Sequence, residues 1–281
     1  WPMDRIAYVP SGSVQGSWAY RIPLYFTLSE LPTSLSETGI ILRAKLPLED
    51  WIKAGLLSAA LEDLLIVDSN MEPLPFYVAY KASDGLHVVY IRYDKPIMSQ
   101  SIILYVLLYN RQLWGTGNTF QTLATFDRVN PIEFADDFGY VNTYTYLAYN
   151  MIVILNPSKE ISIKFGKTWY DSVVLTPING SLVEQHGTLV LRSLEVEEKE
   201  VQSELLVIFD KKFSVAMIYA DDEPYVTVDL SNFNDTAPAY YFGYKGIEPN
   251  SLVLMGRTIL HTYAIGQVYG GYERPPTPLP Q

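Results

Sequence analysis

Two pairs of adjacent acids stand out as groups able to do chemistry. Asp136-Asp137 and Asp221-Asp222, the latter followed by Glu223, set hard oxygen ligands side by side in expected loops. Clusters of that kind suit a structural Ca²⁺, which is held by carboxylate and carbonyl oxygens. The plainer expectation is that Asp136 or Asp137 caps a turn and that Asp221-Asp222 is an acidic hairpin loop. Carboxylates also serve glycoside hydrolysis, which needs two of them about 5–10 Å apart across a cleft. The nearest run, Glu195-Val-Glu197-Glu198, reads instead as a solvated edge or loop. His87, His186 and His261 are far apart and sit in no motif. The Gly-Ser pairs near residue 12 form no nucleophile elbow. With no cysteine there are no disulfides, thiolate metal ligands or cysteine nucleophiles. The expectation is a protein that is not an enzyme.

Binding chemistry is the next reading. Trp114 lies in a Gly/Thr/Asn-rich connection and Trp169 follows a Gly-Lys turn. Exposed aromatics stack on sugar faces and buried ones pack cores, so both are candidate carbohydrate-binding residues with core packing as the alternative. Asn179-Gly-Ser181 and Asn234-Asp-Thr236 are N-glycosylation triplets beside turn-forming residues. The chain opens on Trp1 rather than Met, which reads as a processed, mature extracellular chain. A net charge of −11 argues against a nucleic-acid partner, because phosphate neutralisation needs clustered Lys and Arg. The longest apolar run, Ile102 to Tyr109, has strand length, well short of the roughly 20 residues of a membrane span.

The elements that position these groups are strands. The chain is 48% hydrophobic, enough for a substantial core. Its 22 tyrosines suit half-buried pleated surfaces. Short β-type runs separated by turn signals predict an all-β protein of two antiparallel β-sandwich modules. Residues 1–17 form an N-terminal arm with a strand at Ile6-Ala7-Tyr8-Val9. Residues 18–133 form the first module, 134–272 the second, and 273–281 a Pro-rich extended tail. Strands are expected at 21–28, 39–46, 86–93 and 101–109, with a helix over Leu48–Leu61 weakened by Gly55. Leu64–Val67 and Phe76–Tyr80 read as a hairpin. Ile102–Tyr109 is apolar on both faces, which predicts a central strand covered on both sides. The seam between modules is placed at Phe134-Ala-Asp-Asp-Phe138.

Residues 18–138 resemble an uncharacterised β-domain of prokaryotic surface and secreted proteins. The resemblance is carried by Trp18-Ala-Tyr-Arg-Ile-Pro23, Gly55-Leu56, Asp63-Leu-Leu-Ile-Val-Asp-Ser69, Pro75-Phe-Tyr-Val78, Leu104-Tyr-Val-Leu-Leu-Tyr-Asn110 and Phe134-Ala-Asp-Asp-Phe138. The loop after Asn110 is longer than the family pattern. A concanavalin-like jelly roll often follows in that family, and Gly187-Thr-Leu-Val-Leu191 is similar to a strand of such folds. The resemblance implies a location, the cell surface or its appendages and frequently in archaea, and no activity.

These readings combine into one expectation. The protein is a structural subunit of an extracellular filament or surface assembly. It polymerises head-to-tail with itself by donating the arm strand, Ile6 to Val9, to a neighbour's open sheet edge. The alternatives are that the arm packs on its own body, or that the chain is a carbohydrate-binding or adhesin module.

Overall fold

The computed structural model describes residues 7–9, 16–31, 40–122, 127–129, 150–157, 162–166, 172–175, 184–186, 201–210, 212–229, 241–245 and 252–270. The chain divides into two compact units, residues 1–125 with 259–281, and residues 126–258. The first unit contains β1 (Ala7–Val9), β2 (Gly16–Trp18), β3 (Tyr20–Leu28), β4 (Ile40–Leu46), α1 (Leu48–Lys53), β5 (Leu65–Val67), β6 (Phe76–Lys81), β7 (His87–Tyr93) and β8 (Ser101–Leu108). The second contains β9 (Asp127–Val129), β10 (Met151–Leu155), β11 (Ser162–Gly166), β12 (Ser172–Leu175), β13 (Glu184–His186), β14 (Glu204–Asp210), β15 (Val215–Ala220), β16 (Glu223–Asp229), β17 (Tyr241–Lys245) and β18 (Leu252–Gly256). The chain then returns to the first unit as β19 (His261–Ile265) and β20 (Tyr269–Gly270). The fold is all-β and its sheets are antiparallel.

That return corrects the expected module boundary at residue 272. The long strand β3 has β8 on one side, and β19 and then β20 pair along its other side. Residues 259–270 therefore complete the first unit, and the second unit is an insertion within it. A strand pattern records that a segment is extended; it does not record which sheet will accept it.

In the first unit a sheet of order β19-β3-β8-β5, with β20 also on β3, faces a sheet of order β4-β7-β6. β3 shows the period-two logic plainly. Tyr20, Ile22, Leu24, Phe26 and Leu28 are buried while Tyr25 and Thr27 are exposed. The inward residues of β3 and β8 meet Leu42, Ala44, Phe76, Val89 and Ile91 of the other sheet, with Trp51 of α1, in one core cluster. Each such side chain contributes about 1.5–3 kcal/mol on burial. Pro23 is unusual in an interior strand. It accepts from Gly266 N–H at 2.8 Å and has no N–H to give back. Pairing stops there and resumes one residue out of register, with Tyr269 opposite Arg21.

Two expectations are revised here. The helix stops at Lys53 rather than running to Leu61. Gly55 takes a left-handed φ of 70°, Gly55 N–H donates to Ile52 O, and Leu56 N–H donates to Trp51 O, each at 2.9 Å. This closing motif ties off the last carbonyls and turns the chain away. β5 and β6 are not a hairpin either. β5 pairs with β8 and β6 pairs with β7, in different sheets; the chain folds back on β5 only ahead of β6, where Val67 bridges Pro73 and Leu74 N–H donates to Ile66 O at 2.8 Å.

In the second unit one sheet runs β16-β15-β14-β10-β18-β9 and the other β13-β12-β11-β17. β10, Met-Ile-Val-Ile-Leu, is buried at all five positions and lies centrally between β14 and β18. Asn150 closes this unit at its exit. Its amide nitrogen donates to Thr258 O, and its amide oxygen accepts from Thr258 N–H, both at 2.8 Å.

Candidate functional site

The N-terminal strand lies over one end of the outer face of the first unit's larger sheet. β1 pairs with β2 of the same chain, Ala7 opposite Trp18, Tyr8 opposite Ser17 and Val9 opposite Gly16. The expected arm strand is thus partnered within its own chain. Val9 is fully buried in a small cluster with Trp18, Leu65, Val67 and Leu107, flanked by Met71, Tyr105, Leu113 and Phe120. Leu65, Val67 and Leu107 alternate with the inward residues Ile66, Val106 and Leu108, so they belong to the opposite face of the sheet. This second, smaller core covers one end of the face.

Beneath it sit two buried neighbouring acids, Glu62 and Asp63. Asp63 gathers three segments. Its carboxylate accepts from Ser58 N–H at 2.9 Å and Asn110 N–H at 3.1 Å, and its carbonyl accepts from Trp18 Nε1 at 2.8 Å. Glu62 holds the loop after β8. It accepts from Gly115 N–H at 2.7 Å and Gly117 N–H at 2.6 Å. Donation by those two amides, Gly117 foremost, holds the Glu62 carboxyl below its ordinary value. Both glycines have left-handed φ, 76° and 74°, which lets the loop turn its amides toward the acid.

The loop held this way starts from Asn110, whose side chain accepts from Gln112 N–H and caps a single 3-10 turn over Arg111–Leu113. Tyr109 precedes it with a φ of 66°, rare for a tyrosine. Trp114 packs edge-on against Tyr109 at 5.9 Å, and the Arg111 guanidinium lies 5.5 Å from both rings. Trp114 is therefore half-buried in an aromatic and cationic cluster, and its Nε1 finds no hydrogen-bond partner among the described residues. Arg111, Gln112, Thr116 and Asn118 are exposed around it.

Asp221 is a clamp on backbone amides. Its carboxylate accepts from Gln202 N–H at 2.9 Å, Ser203 N–H at 2.7 Å and Glu204 N–H at 2.9 Å. Those three donors take most of the carboxylate's acceptor positions, and the residue lies in the β15–β16 turn, as the acidic-hairpin-loop alternative has it. Asp222 follows it in the β15–β16 turn with a φ of 76°. Among the described residues no three His, Asp or Glu side chains gather to hold a metal ion. His87, on β7, is pushed below its ordinary value by burial, and His261 sets its Nε2 against Arg43 O of β4. Ile6, Asp136, Asp137, Trp169, Asn179, Asn234, the Glu195–Glu200 run, the Gly187–Leu191 strand and residues 273–281 lie outside the described residues.

The residues that organise this end of the unit, Glu62 and Asp63, were not singled out by sequence as a site. An acid pair ahead of a buried strand resembles any surface turn. The partial signal is Gly115-x-Gly117, a loop whose amides need an acceptor. No protein-family model and no curated protein sequence matches the chain. No helix among the described residues is long and apolar enough to cross a membrane.

Proposed function

We propose that this is a non-catalytic structural protein of the cell exterior whose copies join by exchanging the N-terminal strand. The observation that carries the reading is the seat of Val9. A three-residue strand places one fully buried side chain in a pocket made by Trp18, Leu65, Val67 and Leu107. The link to β2 is Pro10-Ser-Gly-Ser-Val-Gln15, polar and glycine-containing in composition. A strand that occupies its own seat in one copy makes identical contacts in the seat of the next. Such a contact is head-to-tail and propagates instead of closing. Main-chain pairing supplies the affinity and the pocket supplies register.

The test uses the absence of cysteine. Tyr8 and Ser17 are directly opposite, so a Tyr8→Cys, Ser17→Cys chain places two thiols within disulfide reach. Oxidised as a monomer it carries an intrachain link and stays single. Assembled first and then oxidised, it gives a ladder of covalent oligomers on a non-reducing gel. Filaments that contain only intrachain links sink the reading, as does a protein that forms no assembly under negative stain.

A second reading is favoured by the Glu62-held loop. It offers Arg111, Gln112, Thr116 and Asn118 beside Trp114, a set of donors next to a ring that suits a sugar. A glycan array probed with the native chain and with Trp114→Ala separates the two readings. Binding that depends on Trp114, in a chain that never assembles, favours the adhesin.

A further inference from the structure

Among the described residues, the N-terminal hairpin covers the outer face of the first unit's larger sheet at one end only. Reading across the strands, one uncovered row is Ala264, Tyr25, Ile103 and the next is Thr262, Thr27, Ser101. All six are exposed, Tyr25 at 45% and Ile103 at 41%. This departs from the expectation that β8 would be covered on both sides. Six of the nine large exposed apolar side chains of the described residues lie on this sheet or along its β19 border: Tyr25, Ile103, Leu260, Ile265, Val268 and Tyr269.

Charge makes the face unusual. The protein has 31 acidic residues and a net charge of −11, yet none of β3, β5, β8, β19 and β20 contains an Asp, Glu or Lys. The one arginine, Arg21, lies over the Tyr105 ring at 5.2 Å. A face without basic clusters does not recruit an anionic polymer or headgroup. A face without acids does not recruit a basic partner. What suits it is a second flat, uncharged, tyrosine-bearing surface, since charged side chains are depleted and aromatic ones enriched at the centres of protein contacts. A copy of this chain carries one. Two copies repel through their surplus of acids, and here they can approach without bringing carboxylates together.

We infer that this half-covered face is a contact between two copies of the chain, sheet against sheet, made by the Tyr25–Ile103 row and the hydroxyl row beside it. Sheets stacked face to face lie about 10 Å apart, which lets Tyr25 and Ile103 of each copy fill the space between them. The contact is two-fold and closes on itself, so it is distinct from head-to-tail strand exchange. It uses no residue of β1 and stands whether or not strands are exchanged. In an assembly it joins neighbours sideways, where many weak contacts add along the length.

Sedimentation velocity on the full chain over a wide concentration range tests it. The native chain is expected to pair reversibly, and Ile103→Glu, which brings two carboxylates together, to pair at least about tenfold more weakly. Circular dichroism confirms that the variant folds, and Thr27→Glu replaces it if it does not. In addition, Thr27→Cys is expected to cross-link as a dimer on oxidation and Asn118→Cys, in the loop after β8, is not. The cysteine-locked Tyr8→Cys, Ser17→Cys monomer still pairs, which separates this contact from strand exchange. A native chain that remains monomeric at every concentration overturns the inference. So does pairing that Ile103→Glu and Thr27→Glu leave unchanged, or retention on an insoluble polysaccharide without self-association.

Discussion

Tyr263 on β19 reaches the backbone of Lys45 on β4 and takes both of its main-chain groups. Its hydroxyl accepts from Lys45 N–H at 2.6 Å and donates to Lys45 O at 3.1 Å. Two residues earlier, His261 Nε2 lies 3.1 Å from Arg43 O, and its Nδ1 lies 2.9 Å from Ile259 O. Arg43 and Lys45 are alternate residues of an edge strand, so their polar groups point away from β7. Side chains of one sheet thus stand in for a missing strand of the other. They protect an edge that would otherwise invite pairing with a foreign chain.

Tyr263→Phe should leave that pair of Lys45 groups without this partner and lower unfolding free energy by about 1–3 kcal/mol. Chemical denaturation of the full chain measures it. An unchanged midpoint would mean that water replaces the hydroxyl at no cost.

Glu62 makes the loop after β8 sensitive to acid. Its folded-state value is depressed by the Gly117 and Gly115 amides. Its contribution is therefore fully present above the ordinary glutamate range and is lost as pH falls through the lower folded value. Hydrogen exchange of residues 110–120, corrected for intrinsic rate, should speed up on acidification in the native chain. Glu62→Gln should show the faster exchange at neutral pH and a flatter profile.

Val9→Ala should cost about 1–3 kcal/mol, the loss of two buried methyl groups and the space they leave. Limited proteolysis should then cut the first 15 residues before the rest of the chain. Under the strand-exchange reading the same variant also raises the concentration needed for assembly, seen by light scattering.

Asp221→Asn keeps a residue tolerant of the left-handed φ of 49° and removes the charge and one acceptor serving the 202–204 amides. The second unit should lose about 1–2 kcal/mol, whether or not calcium is added. Recovery of that loss with calcium would return Asp221 to a metal role.

Much of the fold follows from local pattern. Alternation over Tyr20–Leu28, the unbroken apolar β10, and the glycine that ends α1 are properties of short stretches. Each acts through sterics and burial within a few residues, so their positions are legible in the chain alone. The same holds for what composition excludes, since a chain without cysteine has no thiol chemistry.

Partnership was decided in three dimensions. Nothing local tells Leu65–Val67 to join β8 rather than β6, or sends residues 261–270 back past the whole inserted unit to β3. Those choices depend on which edge is vacant once the rest has folded. The roles of Glu62, Asp63 and Asp221 follow the same rule, because a carboxylate in a loop is defined by the amides that converge on it. The uncharged outer face was the least legible feature. It is spread over strands from opposite ends of the chain and becomes one surface only when the register sets Ala264, Tyr25 and Ile103 side by side.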